Sequence, residues 1–173
     1  KDGYFVSSNF AADPQLVRDD TPGFKPGDLS NSMNARHVRA EEFVKEHYGK
    51  LDTALAEAYL SDHYDSFDKK VEIGNRSLCG HEELSARGEP VWGNPPFAPS
   101  GAVTGKVADS NMAEHMSFIA RAGHPCGENF FAAPFLEKHP EFAWQKPILG
   151  DMKAGPWTVF HADQNTPARV ALR

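Results

Sequence analysis

Long apolar runs are missing from this sequence. No stretch approaches the roughly 20 apolar residues that a bilayer-crossing helix needs, so no membrane span is predicted. Positive charge is scarce as well. The 173 residues carry Lys+Arg 18 against Asp+Glu 24, a formal net charge of −6. That balance argues against a general affinity for nucleic acid or anionic lipid. There are only two cysteines, Cys79 and Cys126, which leaves open one disulfide in an oxidising compartment or two buried thiols. The signatures G-x-S-x-G, the phosphate-cradling loop and G-x-G-x-x-G are all absent. The eight histidines invite a metal reading, but no pair has the i, i+4 helical spacing or the Cys-x-x-Cys spacing of zinc sites. His81-Glu82-Glu83 is not H-E-x-x-H. Spacing therefore points to no metal site, and no cofactor is expected. Residues 1–10 lack the apolar stretch of a signal peptide, and the chain begins at Lys1 without a Met.

What is present suits one globular domain over 1–173. Hydrophobic residues make up 40% and charged residues 24%, and the length supports a real core. Proline and glycine are plentiful, 13 and 14. They cluster at 23–27 and 88–101, where interleaved aromatics (Phe24, Trp92, Phe97) indicate ordered loops. Asn75-Arg76-Ser77 is a glycosylation sequon.

Residues 3–9 read as a strand, since β-formers dominate and side chains alternate. Residues 10–29 form a long loop. Ser32 or Asn34 caps a helix with Ala35, Val38, Phe43, Val44 and Tyr48 in its apolar stripe, stopped by Gly49. Asp52 caps a second helix over 53–61, with Leu55, Ala56, Tyr59 and Leu60 inward. Residues 101–108 are a second strand. Asp109 or Ser110 caps a helix through Met112, Met116, Ile119 and Ala120, ending at Gly123. Residues 123–127 are a tight turn, 132–139 a short helix, and 142–149 and 156–160 aromatic segments that pack over the body. The class is α+β. The strands are too few for a large sheet, so the sheet is expected to be completed from outside this chain.

Two residues stand out chemically. Asn9, at the end of the opening strand, can aim its amide N–H at an oxyanion; the alternative is an Asn that only starts a turn. Arg36 falls in the first turn of its helix, where a cation opposes the macrodipole. It is therefore expected to hold a carboxylate or a thiolate, unless it is a surface Arg paired with Asp28 or Glu42. Weaker candidates are Asp62, His63, Arg76 and His81. Cys126 with His124 is a further thiol-nucleophile candidate, as is Cys79 with His81.

Ser8-Asn9-Phe10 resembles the Ser-Asn-His-Phe strand end of penicillin acyltransferase-like proteins. Residues 31–39, from Asn31-Ser32-Met33 to His37-Val38-Arg39, resemble the Ser-x-x-Arg-x-x-Arg segment that follows it. Residues 26–40 resemble the Pro-Gly-Asp-Leu-Ser stretch of choloylglycine hydrolases. Residues 60–65, 76–81 and 101–109 resemble segments of the phospholipase B-like branch. The chain departs from the pattern where Phe10 follows Asn9 with no His between, and where Leu78-Cys79-Gly80 replaces Ile-Cys-Arg.

The resemblance implies part of a four-layer αββα N-terminal-nucleophile hydrolase, completed by an upstream segment or partner chain. It implies an amide hydrolase or acyltransferase in which an N-terminal Cys attacks an amide or ester carbonyl and its own α-amino group is the base. Asn9 would hold the oxyanion and Arg36 would sit beside the thiol. The nucleophile is not in this chain, so it is expected on an upstream segment or on a second polypeptide from the same precursor. The substrate would be a small acyl amide or ester, and the location periplasmic or secreted, with the cytoplasm as the alternative. The competing reading is a non-catalytic relative that binds a ligand or partner.

Overall fold

The computed structural model describes residues 3–11, 13–17, 24–81 and 101–162. The second Pro- and Gly-rich loop expected to be ordered, with Trp92 and Phe97, lies outside the described residues. Helix α1 (Pro14–Val17) is one turn. Helix α2 (Ser32–Glu46) and helix α3 (Thr53–Leu60) follow. Strands β1 (Tyr64–Asp65) and β2 (Lys70–Val71) make a two-stranded hairpin. Strand β3 (Thr104–Val107), helix α4 (Ser110–Glu114) and strand β4 (Ser117–Ala122) lead through helix α5 (Ala132–Lys138) and a 3-10 helix (Pro140–Gln145) to strand β5 (Thr158–His161). The larger sheet has the order β3-β4-β5, antiparallel throughout. The chain is thus α+β with small antiparallel sheets.

The starts of α2, α3 and α4 have a local cause. The Asn31 side chain accepts from Met33 N–H, and those of Asp52 and Asp109 from Leu55 and Met112, which satisfies N–H groups that the helix leaves without partners. The cap of α2 is Asn31, not Ser32 or Asn34. Asn34 is instead buried and works as a clamp. Its amide donates to Lys25 O at 2.8 Å and Asp28 O at 3.0 Å and accepts from Gly27 N. Ala35 and Phe43 of the expected stripe are buried, but Tyr48 lies past the helix end and is 56% exposed.

Two expectations fail. Residues 3–9 run extended, with alternating exposure, but pair with no described strand. The helix expected to continue through Ile119 stops at Glu114. Met116 turns left-handed at φ 48, and residues 117–122 become β4. There Ser117 and Ile119 are buried while Phe118 faces out. Pairing with β3 and β5 on both sides outweighs the helical periodicity of Met112, Met116 and Ile119.

Two glycines mark close approaches. A Cβ on Gly105 in β3 would strike the Trp157 ring, over which the Arg121 guanidinium sits 5.2 Å from the centroid. Gly123, at φ 81, has the Ala154 Cα 2.6 Å from where its Cβ would be. The tail therefore lies against the sheet as expected, with Phe142 and Gln145 buried and β5 added as a strand.

Candidate functional site

The clamp by Asn34 and the cap at Asn31 fix the start of α2 against the loop before it. This presents Met33, Arg36 and Ala40 to the extended segment at Ser7, Ser8 and Asn9. Between them lies a cavity of about 160 Å³, whose far wall is Tyr59, Leu60 and Leu78. Asn9 and Arg36, the two residues singled out from the sequence, thus line one cavity. Asn9 is exposed at its rim rather than buried, and the segment that carries it is not a described strand.

Arg36 is the fifth residue of α2 counting Ser32 as the first, one place past the first turn. The macrodipole penalty expected of it is correspondingly smaller, since the effect fades within that turn. Its Nε donates to Ser32 O at 3.1 Å, not to Asp28 or Glu42. Burial pushes the phenol of Tyr59, one of the lining residues, above its ordinary value. No cysteine lines the cavity.

The sequence reading missed a pair beside it. Ser8 Oγ lies 2.7 Å from His37 Nδ1. The His37 ring stands edge-on to Phe10 at 5.2 Å, and its Nε2 is 3.5 Å from Glu41. Glu41 is shared with Lys45 at 2.9 Å, which holds its carboxyl below the ordinary range. A hydroxyl on an imidazole next to the cavity is a group that can exchange a proton there. Its one sequence signal is that His37 follows Arg36.

The weaker candidates divide. Asp62 accepts from Arg39 Nε at 3.0 Å and from its Nη2, and also from Tyr64 N–H. The Arg39 guanidinium lies 4.8 Å over the Tyr64 ring and 5.7 Å over Phe43. Desolvation lowers the Arg39 pKa, but its bonds to Asp62 outweigh this and raise it overall. Arg39 is a part-buried brace between α2 and the loop after α3. Arg76 bridges Asp65 and Asp68 and lies over Phe67 at 4.9 Å. It closes the β1–β2 hairpin, and with Lys70, which pairs with Glu72 at 3.0 Å, it accounts for the acidic trio Asp65, Asp68 and Glu72.

His63 and His81 belong elsewhere, with the two cysteines. A ligand-capable atom from each of His63, Cys79, His81 and Cys126 lies within 4.8 Å of the other three. Neither cysteine is in a disulfide. His81 Nε2 is 3.7 Å from Cys79 Sγ and 3.4 Å from Cys126 Sγ. The Cys79 thiol, then the His63 and His81 imidazoles and the Glu128 amide, hold the Cys126 thiol well below its ordinary value against the opposing effect of burial. The imidazoles that act on Cys126 are those of His63 and His81, where the sequence pointed to His124. His124 is fully buried, with Nδ1 2.7 Å from Ala102 O. A carbonyl only accepts, so Nδ1 carries the proton. The His124 ring stacks on His81 at 3.7 Å.

Comparison with protein-family models, with curated proteins and with solved structures finds no match to this chain.

Proposed function

We propose that the chain is the nucleophile-lacking part of an amide hydrolase or acyltransferase, working through an acyl-enzyme on an N-terminal Cys carried by a second polypeptide of the same precursor. One observation carries this reading: Asn9 and Arg36 meet at a single cavity. Asn9 at the rim would donate to an oxyanion. Arg36 brings a forked cation to a thiolate or a substrate carboxylate. Two facts favour a second polypeptide. The extended segment pairs with no described strand, and no cysteine lines the cavity. The larger four-layer αββα arrangement, small acyl amide or ester substrates and a periplasmic or secreted location belong to the same proposal and rest on the resemblance.

A binding protein on the same scaffold is the second reading, favoured by the exposure of Asn9. The deciding experiment is intact mass and N-terminal sequencing of every polypeptide purified from the full precursor, with acyl release from amide substrates followed alongside. A partner chain that begins with Cys, together with acyl release, supports the enzyme. A partner beginning with a residue other than Cys, Ser or Thr, and no acyl release, leaves the binding protein.

A further inference from the structure

The buried Cys–His cluster is separate from the cavity just described and uses none of its lining residues. Cys79 is completely buried and His81 is 2% exposed; His63 and Cys126 are half-buried. Cys79 and His81 alternate inward from one short segment. Cys126 comes from the turn after β4 and His63 from the loop after α3. Two soft thiolates and two imidazoles are the donor set that selects zinc among the common cations.

The spacing agrees with a metal. With Zn–S of about 2.3 Å and Zn–N of about 2.0 Å in a tetrahedron, sulfur and nitrogen ligands stand about 3.5 Å apart. The two measured separations, 3.7 and 3.4 Å, straddle that edge. His63 Nε2 is buried with no hydrogen-bond partner among the described residues, a costly state for a ring nitrogen without a ligand to bind.

The surroundings are built to hold the ligands still. Cys79 N–H donates to Asp62 O at 2.9 Å, His81 N–H to Gly74 O at 2.8 Å, and Glu72 N–H to His63 O at 3.0 Å. Glu128 N–H donates to Cys126 Sγ at 3.4 Å, which stabilises a thiolate. The turn that carries Cys126 is anchored by Ser61 Oγ and Arg121 Nη1, both donating to Pro125 O. Supporting bonds of this kind fix ligand direction in metal sites. A cavity of about 270 Å³, lined in part by His81 and Glu128, supplies an entry path.

We propose that His63, Cys79, His81 and Cys126 form a closed tetrahedral zinc site that fastens the segment from Asp62 to His81 onto the turn from His124 to Glu128. Four protein ligands leave no open position, so the site is structural rather than catalytic. Leu78, beside Cys79, lines the Asn9–Arg36 cavity, so the ion would also steady one of its walls.

The test is made on the unaltered full chain, purified under reducing conditions. Metal analysis is expected to find one zinc per chain. Exchange with Co²⁺ is expected to give the strong visible bands and the thiolate charge-transfer band of tetrahedral S₂N₂ cobalt. Chelation should lower the unfolding temperature. Cys126→Ser and His63→Asn, both at half-buried positions, should weaken zinc binding by more than the ~10–100-fold typical of losing a supporting group. A variant that does not fold is replaced as a test by the cobalt spectrum and chelation of the unaltered chain. No uptake of zinc or cobalt by the reduced chain overturns the proposal, as does uptake with an octahedral spectrum. A Cys79–Cys126 disulfide that forms in the presence of zinc and excludes it does the same.

Discussion

Arg36 and Arg39 lie three residues apart on one helix, and their surroundings assign them different work. Arg36 lines the cavity that also holds Asn9. Arg39 is locked to Asp62 and stacked on Tyr64. In the active complex, Asn9→Ala is expected to lower acyl release about a hundredfold or more, the usual cost of one oxyanion donor, without loss of stability. Arg36→Lys is expected to be damaging too, because an ammonium cannot reproduce a planar fork. Initial rates and urea midpoints, measured side by side, check both; small and equal losses of rate would remove these residues from the chemistry. Arg39→Lys should behave in the opposite way. It forfeits a forked, part-buried bond to Asp62, so stability should fall by about 1–3 kcal/mol, with the rate per folded molecule nearly kept. An unchanged urea midpoint would show that Arg39 is a surface residue and not a brace.

At the scale of elements, legibility followed how local the cause was. The caps at Asp52 and Asp109 and the turn at 123–127 were readable because the residues that make them are neighbours in sequence. β4 was not. The periodicity of Met112, Met116 and Ile119, which runs from α4 into this strand, imitates one continuous helix, and only hydrogen bonding to β3 and β5 on either side decides for a strand. Close approach is equally invisible in one dimension: Gly105 reads as an ordinary strand glycine until Trp157 lies against it. Gly105→Ala is expected to destabilise the chain by about 1–3 kcal/mol through overpacking. Combined with Trp157→Leu, it should cost less than the sum of the two single changes, because the smaller side chain leaves room. Additive losses in denaturant unfolding would mean that the two residues do not meet.

For the whole molecule, the exposed apolar side chains are the informative feature. Phe5 is 83% exposed, Val71 76% and Met116 69%. Phe118 and Phe160, stacked at 5.4 Å, are also exposed on the β4–β5 pair. Single exposed apolar residues are ordinary, but several on an extended segment and a small sheet suit a covered surface. If a second polypeptide completes the fold as proposed, the chain alone should bind a hydrophobic dye and self-associate. The co-expressed pair should do neither, and light scattering with dye fluorescence distinguishes the two states. A monomeric, dye-silent chain that unfolds cooperatively by itself would count against the partner.

Composition and short-range pattern by themselves determined the α+β class, the absence of a long apolar span, the capped helices, and Asn9 and Arg36 as the residues to watch. Those properties depend on residue type and on neighbours within a turn or two, which a linear string records. Only the tertiary structure decided that Asn9 and Arg36 share a cavity, that Arg39 is a brace, and that His63, Cys79, His81 and Cys126 converge. No ligand spacing announces that last set, because its members come from a loop, a short extended segment and a distant turn. What brings them within 4.8 Å is the packing of α3 against β3 and the anchoring of Pro125 by Ser61 and Arg121. Those are forces between parts of the chain far apart in sequence.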